Sequence, residues 1–90
     1  MNRAEARLSL LNRSGLHARP ASIFVRTAQR FKAKIIVKKD DKEADAKSIL
    51  SVLALGAECG DQITIIAEGE DASEALKTIV DLIKSKFGEE

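Results

Sequence analysis

From Asp71 to Gly88, apolar residues recur every three or four positions: Ala72, Ala75, Leu76, Ile79, Val80, Ile83 and Phe87. That spacing builds a helix with one apolar stripe, and the stripe needs a second layer to cover it. Directly before it, Gln62 to Glu68 alternates with period two. Ile63, Ile65 and Ala67 fall on one side and Thr64, Ile66 and Glu68 on the other, as in a strand buried on one face. A half-buried strand and a half-buried helix, parted by a break at Gly69, imply a sheet with helices on one face and water on the other. Asp71 followed by Glu74 has the form of a capping box, and Lys84 with Lys86 complement the far end of the helix.

The remaining segments fit the same plan. Leu8 and Leu10 alternate with Arg7 and Ser9 as a first strand, which ends at the polar turn Asn12-Arg13-Ser14-Gly15. From Ala18 the period changes: Ala21, Phe24, Val25, Ala28 and Phe31 form a helical stripe. Lys34 to Lys38 is rich in β-branched residues, and Asp40-Asp41 turns it into a short polar strand from Lys42 to about Asp45 or Ala46. Ser48 can cap a short helix carrying Ile49, Leu50, Val52, Leu53 and Leu55, closed by Gly56 or Gly60. The predicted order is strand, helix, strand, strand, helix, strand, helix: an α+β chain with a mostly antiparallel sheet. Ninety residues leave room for one domain, spanning 1–90, with a single modest core.

Composition removes several functions. Fifteen Lys and Arg against fourteen Asp and Glu leave a formal charge of +1, too small to steer the chain to nucleic acid or an anionic membrane. Only three Phe and no Tyr or Trp are present, so no base-stacking platform is expected, and alternating solvent-facing lysines account for the run from Lys32 to Lys42. The single Cys59 excludes an internal disulfide, and no apolar run suggests a signal peptide or membrane span, so a cytoplasmic protein without membrane insertion is expected. One His and one Cys cannot form a tetrahedral metal set, so no metal is expected, and no cofactor.

The chemistry concentrates in Asn12-Arg13-Ser14-Gly15-Leu16-His17-Ala18-Arg19-Pro20-Ala21. His17, the only histidine, falls where a turn becomes a helix. A helix start leaves backbone N–H groups without partners and carries partial positive charge, so the Ala18 and Arg19 amides would stabilise an anion attached to His17. Arg19 adds a planar, permanently charged donor fork suited to phosphoryl oxygens. Pro20 costs little in a first helical turn, where its missing N–H would have had no acceptor.

Its stretch Gly15-Leu16-His17-Ala18-Arg19-Pro20-Ala21 resembles the active-site signature of HPr, the histidine-containing phosphocarrier of the bacterial sugar phosphotransferase system. The similarity extends through Ala46-Lys47-Ser48-Ile49-Leu50, Leu55-Gly56 and Ala67-Glu68-Gly69-Glu70-Asp71. The resemblance implies an open-faced β-sandwich with four antiparallel strands and three helices on one face, in the order βαββαβα. It implies a shuttle in which phosphorylated Enzyme I places a phosphoryl group on Nδ1 of His17, Arg19 positions it, and sugar-specific IIA proteins receive it. Such a carrier forms a covalent intermediate without completing a turnover alone, so it is not an autonomous enzyme.

The resemblance also makes Ser48, which caps its helix in the bland reading, a candidate phosphoserine, with HPr kinase/phosphorylase and catabolite control protein A as further partners. Ile49, Leu50 and Leu53 occupy too much of a short helix to be buried together with Val52 and Leu55. With Leu16, Ala21 and Phe24 near His17, they are expected to form an apolar docking patch on a monomer. Two rivals share the fold: a nitrogen-branch phosphorelay carrier and a regulatory module that works only through its serine.

Overall fold

The computed structural model describes residues 2–89. Its elements are β1 (Arg3–Ser9), α1 (Ala18–Ala28), β2 (Lys34–Lys39), β3 (Lys42–Asp45), α2 (Ile49–Ala54), β4 (Gln62–Glu68) and α3 (Ala72–Lys84), then a 3₁₀ turn over Lys86–Gly88. The order βαββαβα is the one expected. The strands form one sheet in the order β1-β4-β2-β3, every neighbouring pair antiparallel.

The period-two reading of β4 sets its register. Ile63, Ile65 and Ala67 are buried, while Gln62, Thr64, Ile66 and Glu68 point to the open side. Ile65 pairs with Ala6 on one flank and Val37 on the other, which aligns the inward rows of three strands. The outward row at Glu68 faces Arg3 and Lys34, a carboxylate between two cations. These charged rows keep the uncovered face wet.

The helices cover the other face. Phe24, Leu10, Leu16, Ile35, Ile63, Ile65, Ile79 and Ile83 are fully buried in one core. Each large side chain removed from water in this way stabilises the fold by about 1.5–3 kcal/mol. Helix α1 buries Pro20, Ala21, Phe24, Val25 and Ala28, and α3 buries Ala72, Ala75, Ile79 and Ile83. In α2 only Val52 is buried, joined by the capping Leu55, so Ile49, Leu50 and Leu53 remain at the surface as predicted.

Several boundaries differ from expectation. Strand β1 begins at Arg3, earlier than its alternation suggests, because Ala4 and Ala6 are too small to mark a buried row. Leu10 lies beyond the strand yet is fully buried. Phe31 falls in the turn after α1, and Phe87 in the 3₁₀ turn after α3. Lys86 and Phe87 both adopt left-handed backbone (φ 59° and 54°), costing about 1–2 kcal/mol each. Burial of the Phe87 ring offsets that cost.

Asp71 does not form the capping box expected of it with Glu74, and its carboxylate caps nothing in α3. It accepts hydrogen bonds instead from the N–H groups of Lys32 (2.9 Å) and Ala33 (2.8 Å), tying the approach to β2 onto the start of α3. The Lys32 amide foremost, helped by the Ala33 amide and the Lys47 charge, holds this carboxyl below the usual carboxylate range against partial desolvation. A depressed folded-state value means that the stabilisation is complete above the ordinary carboxylate range and is lost as pH falls through the lowered one. Urea midpoints measured between about pH 5 and about pH 2 should therefore fall less steeply for Asp71→Asn than for the wild type. Asp61 and Glu89 are lowered too and keep some slope in the variant. Identical acid limbs would show that ionisation of Asp71 carries no folding energy.

Candidate functional site

His17 is placed by the residues on either side of it. Leu16 is fully buried and its N–H donates to the Ala57 carbonyl at 2.9 Å, pinning the loop against the segment after α2. Gly15, at φ 63°, turns so tightly there that the Ala57 carbonyl oxygen and Glu58 Cα leave no room for a Cβ. Because Leu16 points inward and His17 follows in extended backbone (φ −123°, ψ 158°), the imidazole points out. Its side chain is 46% exposed and sits at the N-cap of α1 without capping it.

The structure thus confirms the placement of His17 at the start of a helix. Ala18 carries the first irregularity: its φ of 44° lies in the left-handed region, which costs an L residue about 1–2 kcal/mol. The helix closes one turn on with the Ala21 N–H donating to the His17 carbonyl at 3.4 Å. The amides of Ala18 and Arg19 belong to the first turn, which has no intrahelical acceptors for them, and Pro20 contributes none. Arg19 is exposed, and among the described residues no carboxylate lies within ion-pair distance of it.

Three neighbours were not legible in the local motif. Glu58, reached through the contact of Leu16 with Ala57, brings a carboxylate oxygen 4.0 Å from His17 Nε2. That is too long for a hydrogen bond and leaves a solvent-screened contact between exposed groups. Asn12 is fully buried and donates from Nδ2 to the Gly15 carbonyl at 2.9 Å. Glu89 accepts from the Ser14 N–H at 3.3 Å.

The expected docking patch divides. Ile49, Leu50 and Leu53 are exposed on α2, Leu50 by 78%. Leu16, Ala21 and Phe24 are fully buried and cannot meet a partner. Ala21 and Phe24 belong to the stripe that seats α1 on the core, and Leu16 points inward so that His17 can point outward. Ser48 is the N-cap of α2, its Oγ accepting from the Ser51 N–H at 3.3 Å. Gln29, just past the end of α1, donates to the Lys47 carbonyl at 3.0 Å, so Ser48 sits beside the far end of the helix that His17 begins.

A polar hollow of about 440 Å³ lies on the open sheet face, lined by Arg3, Arg7, Lys38, Asp61, Gln62 and Thr64, and His17 is not part of its lining. Its charges are partly engaged with one another, Arg3 with Glu5 at 2.8 Å and Lys39 with Asp61 at 3.2 Å, so it reads as a solvated face. Among the described residues no three His, Cys, Asp or Glu converge as metal ligands, and no helix is long and apolar enough to cross a membrane. The site offers an exposed imidazole at a helix start whose first-turn amides have no intrahelical acceptors, with the exposed Arg19 two residues on.

Comparison with known proteins places these features in a family. A family model described as the PTS HPr component phosphorylation site matches residues 4–85. The phosphocarrier protein HPr of Treponema pallidum (strain Nichols) is 44% identical over 81 residues, 90% of this chain and 92% of its own. The HPr-like protein Crh of Halalkalibacterium halodurans is 38% identical over 82 residues, 91% of this chain and 98% of its own. The crystal structure of HPr-C-His from Thermoanaerobacter tengcongensis superposes with a TM-score of 0.95 at 49% identity, covering 97% of this chain and 98% of that one.

Proposed function

Because the chain belongs to the HPr family of phosphotransferase-system phosphocarriers, we propose that His17 is its phosphoryl acceptor and that it relays the group from Enzyme I to sugar-specific IIA proteins. The observation that carries this reading is the outward-facing imidazole at the N-cap of α1. In acceptance, the lone pair of Nδ1 attacks the donor's phosphorus. The bond from donor to phosphorus breaks, and its electron pair returns to the donor atom. Delivery is the same exchange with His17 as donor. The Ala18 and Arg19 amides and the Arg19 guanidinium meet the phosphoryl oxygens.

Magnitudes favour a shuttle over a sink. A helix start stabilises an adjacent anion by about 0.3–1 kcal/mol at an exposed site. An exposed guanidinium adds about 0–1 kcal/mol. Together these orient the group without trapping it. The test is delivery: phosphorylated protein mixed with a IIA acceptor should return to its unmodified mass as the acceptor gains the phosphate. Loss of phosphate to water alone would count against the relay.

Partners would dock on Ile49, Leu50 and Leu53, exposed on α2, the helix that leads to the segment holding Leu16. Leu50→Ser should leave the urea midpoint nearly unchanged, since surface replacements usually fall within about 0.5 kcal/mol. It should weaken the complex with Enzyme I about tenfold, the effect of removing one buried apolar side chain from an interface. Unchanged affinity by titration calorimetry would remove α2 from the interface.

A second, regulatory reading rests on Ser48, whose hydroxyl already meets the first turn of α2, and on the similarity to Crh. Phosphate there would be met by the same amides and would add negative charge next to Ile49 and Leu50 without unfolding the helix. HPr kinase/phosphorylase and catabolite control protein A are the partners this reading names. His17 favours the carrier over a module working through serine alone, and Pro20 favours the sugar branch over the nitrogen branch. We take the carrier to be a cytoplasmic monomer of one domain, with no cofactor and no nucleic-acid partner.

A further inference from the structure

The residues after α3 return to the loop that precedes His17. The 3₁₀ turn over Lys86–Gly88 buries Phe87 and brings Glu89 across the fold. Its Oε1 accepts from the Ser14 N–H at 3.3 Å and from Asn12 Nδ2 at 3.4 Å. Asn12 is itself fully buried and bonded to the Gly15 carbonyl, while its Oδ1 has no hydrogen-bond partner among the described residues. Asn12 and Ser14 are thus tied to a residue 77 and 75 positions away in sequence, Asn12 in turn holds residue 15, and Leu16 is pinned to Ala57. Nothing in the motif around His17 requires this second attachment.

We infer that Glu89 is a positioning residue for phosphoryl transfer, holding through Ser14 and Asn12 the loop that presents His17. The inference rests on the carrier reading for its kinetic consequence but not for its structural one. Loop geometry matters because group transfer depends steeply on the approach of the reacting atoms. At 3.3 and 3.4 Å each bond is long, and the carboxylate acceptor strengthens both through its charge. The Glu89 carboxyl lies below the usual carboxylate range, chiefly because Ser14 hydrogen-bonds to it, with Asn12 and the Arg13 charge contributing. Arg13 is the charged neighbour that acts on it.

The test compares the wild type with Glu89→Ala and Glu89→Gln in two measurements. One is phosphorylation by phospho-Enzyme I with the carrier concentration varied, which separates kcat from KM; the other is hydrogen exchange at the Ser14 amide. Glu89→Ala should lower kcat about fivefold, the loss expected for one partly exposed bond to a charged acceptor, with KM little changed. Its Ser14 amide should exchange faster. Glu89→Gln retains an acceptor oxygen and should recover most of both. A Glu89→Ala protein with wild-type kcat or wild-type Ser14 exchange, or a Gln variant that recovers neither, overturns the inference. If the wild type itself accepts no phosphate, the carrier reading falls, and Ser14 exchange still decides whether Glu89 holds the loop.

Discussion

Gly15→Ala should lower the unfolding free energy by about 3 kcal/mol, combining a left-handed backbone penalty of about 1–2 kcal/mol with overpacking of about 1–3 kcal/mol. At φ 63°, an added Cβ would lie 2.6 Å from both the Ala57 carbonyl oxygen and Glu58 Cα. Both are backbone atoms, and neither can swing aside as a flexible side chain would. Relief requires the loop before His17 and the segment after α2 to separate, breaking the bond from Leu16 to Ala57 and moving Glu58 away from the imidazole. Gly56→Ala is the control. Gly56 has a similar φ of 66° but nothing within 4 Å of a Cβ, so it should lose only the backbone penalty of about 1–2 kcal/mol. Equal urea midpoints for the two variants would show that the close approach at Gly15 does not constrain the fold.

What could be read from the sequence was governed by period and by short-range chemistry. Ile63, Ile65 and Ala67 lie inward because a strand alternates, and alternation needs no knowledge of its neighbours. Ser48 caps α2 because its partner amide is three residues on. His17 tops α1 because a polar turn meets a helical stripe there. Each of these features is decided within a few residues.

The rest depends on what lies across the core. Asp71 looked like a cap, but amides at Lys32 and Ala33 reach its carboxylate from another part of the chain. Leu16, Ala21 and Phe24 are near His17 in sequence, yet a helix sends residues 21 and 24 to the face opposite its wet side, and all three are buried. For Ala21 and Phe24 the stripe spacing was the signal against a docking role. Glu89 meets Ser14 only because Phe87 anchors the turn before it, and no local pattern announces a contact of that span. The sheet order, with β4 between β1 and β2, is non-local in the same way.

Replacing His17 should abolish acceptance altogether while leaving the fold in place. Its side chain is about half exposed, makes no hydrogen bond in capping α1 and meets Glu58 only at 4.0 Å. Stability of His17→Ala should therefore stay within about 0.5 kcal/mol of the wild type. His17 is the only imidazole in the chain. The other acceptors are hydroxyls, Ser48 among them, and the thiol of the exposed Cys59, and a hydroxyl is a weak nucleophile without an activating base. A phosphoserine is an ester that survives acid, whereas a phosphohistidine carries a nitrogen–phosphorus bond that acid cleaves, so the product also reports its site.

The most direct measurement is the intact mass of the protein after incubation with phosphoenolpyruvate and Enzyme I, for the wild type and His17→Ala in parallel. A single acid-labile phosphate on the wild type, absent from a folded His17→Ala, is the predicted result. An unmodified wild type under conditions that load a known carrier, or a phosphate that persists in His17→Ala, would contradict it.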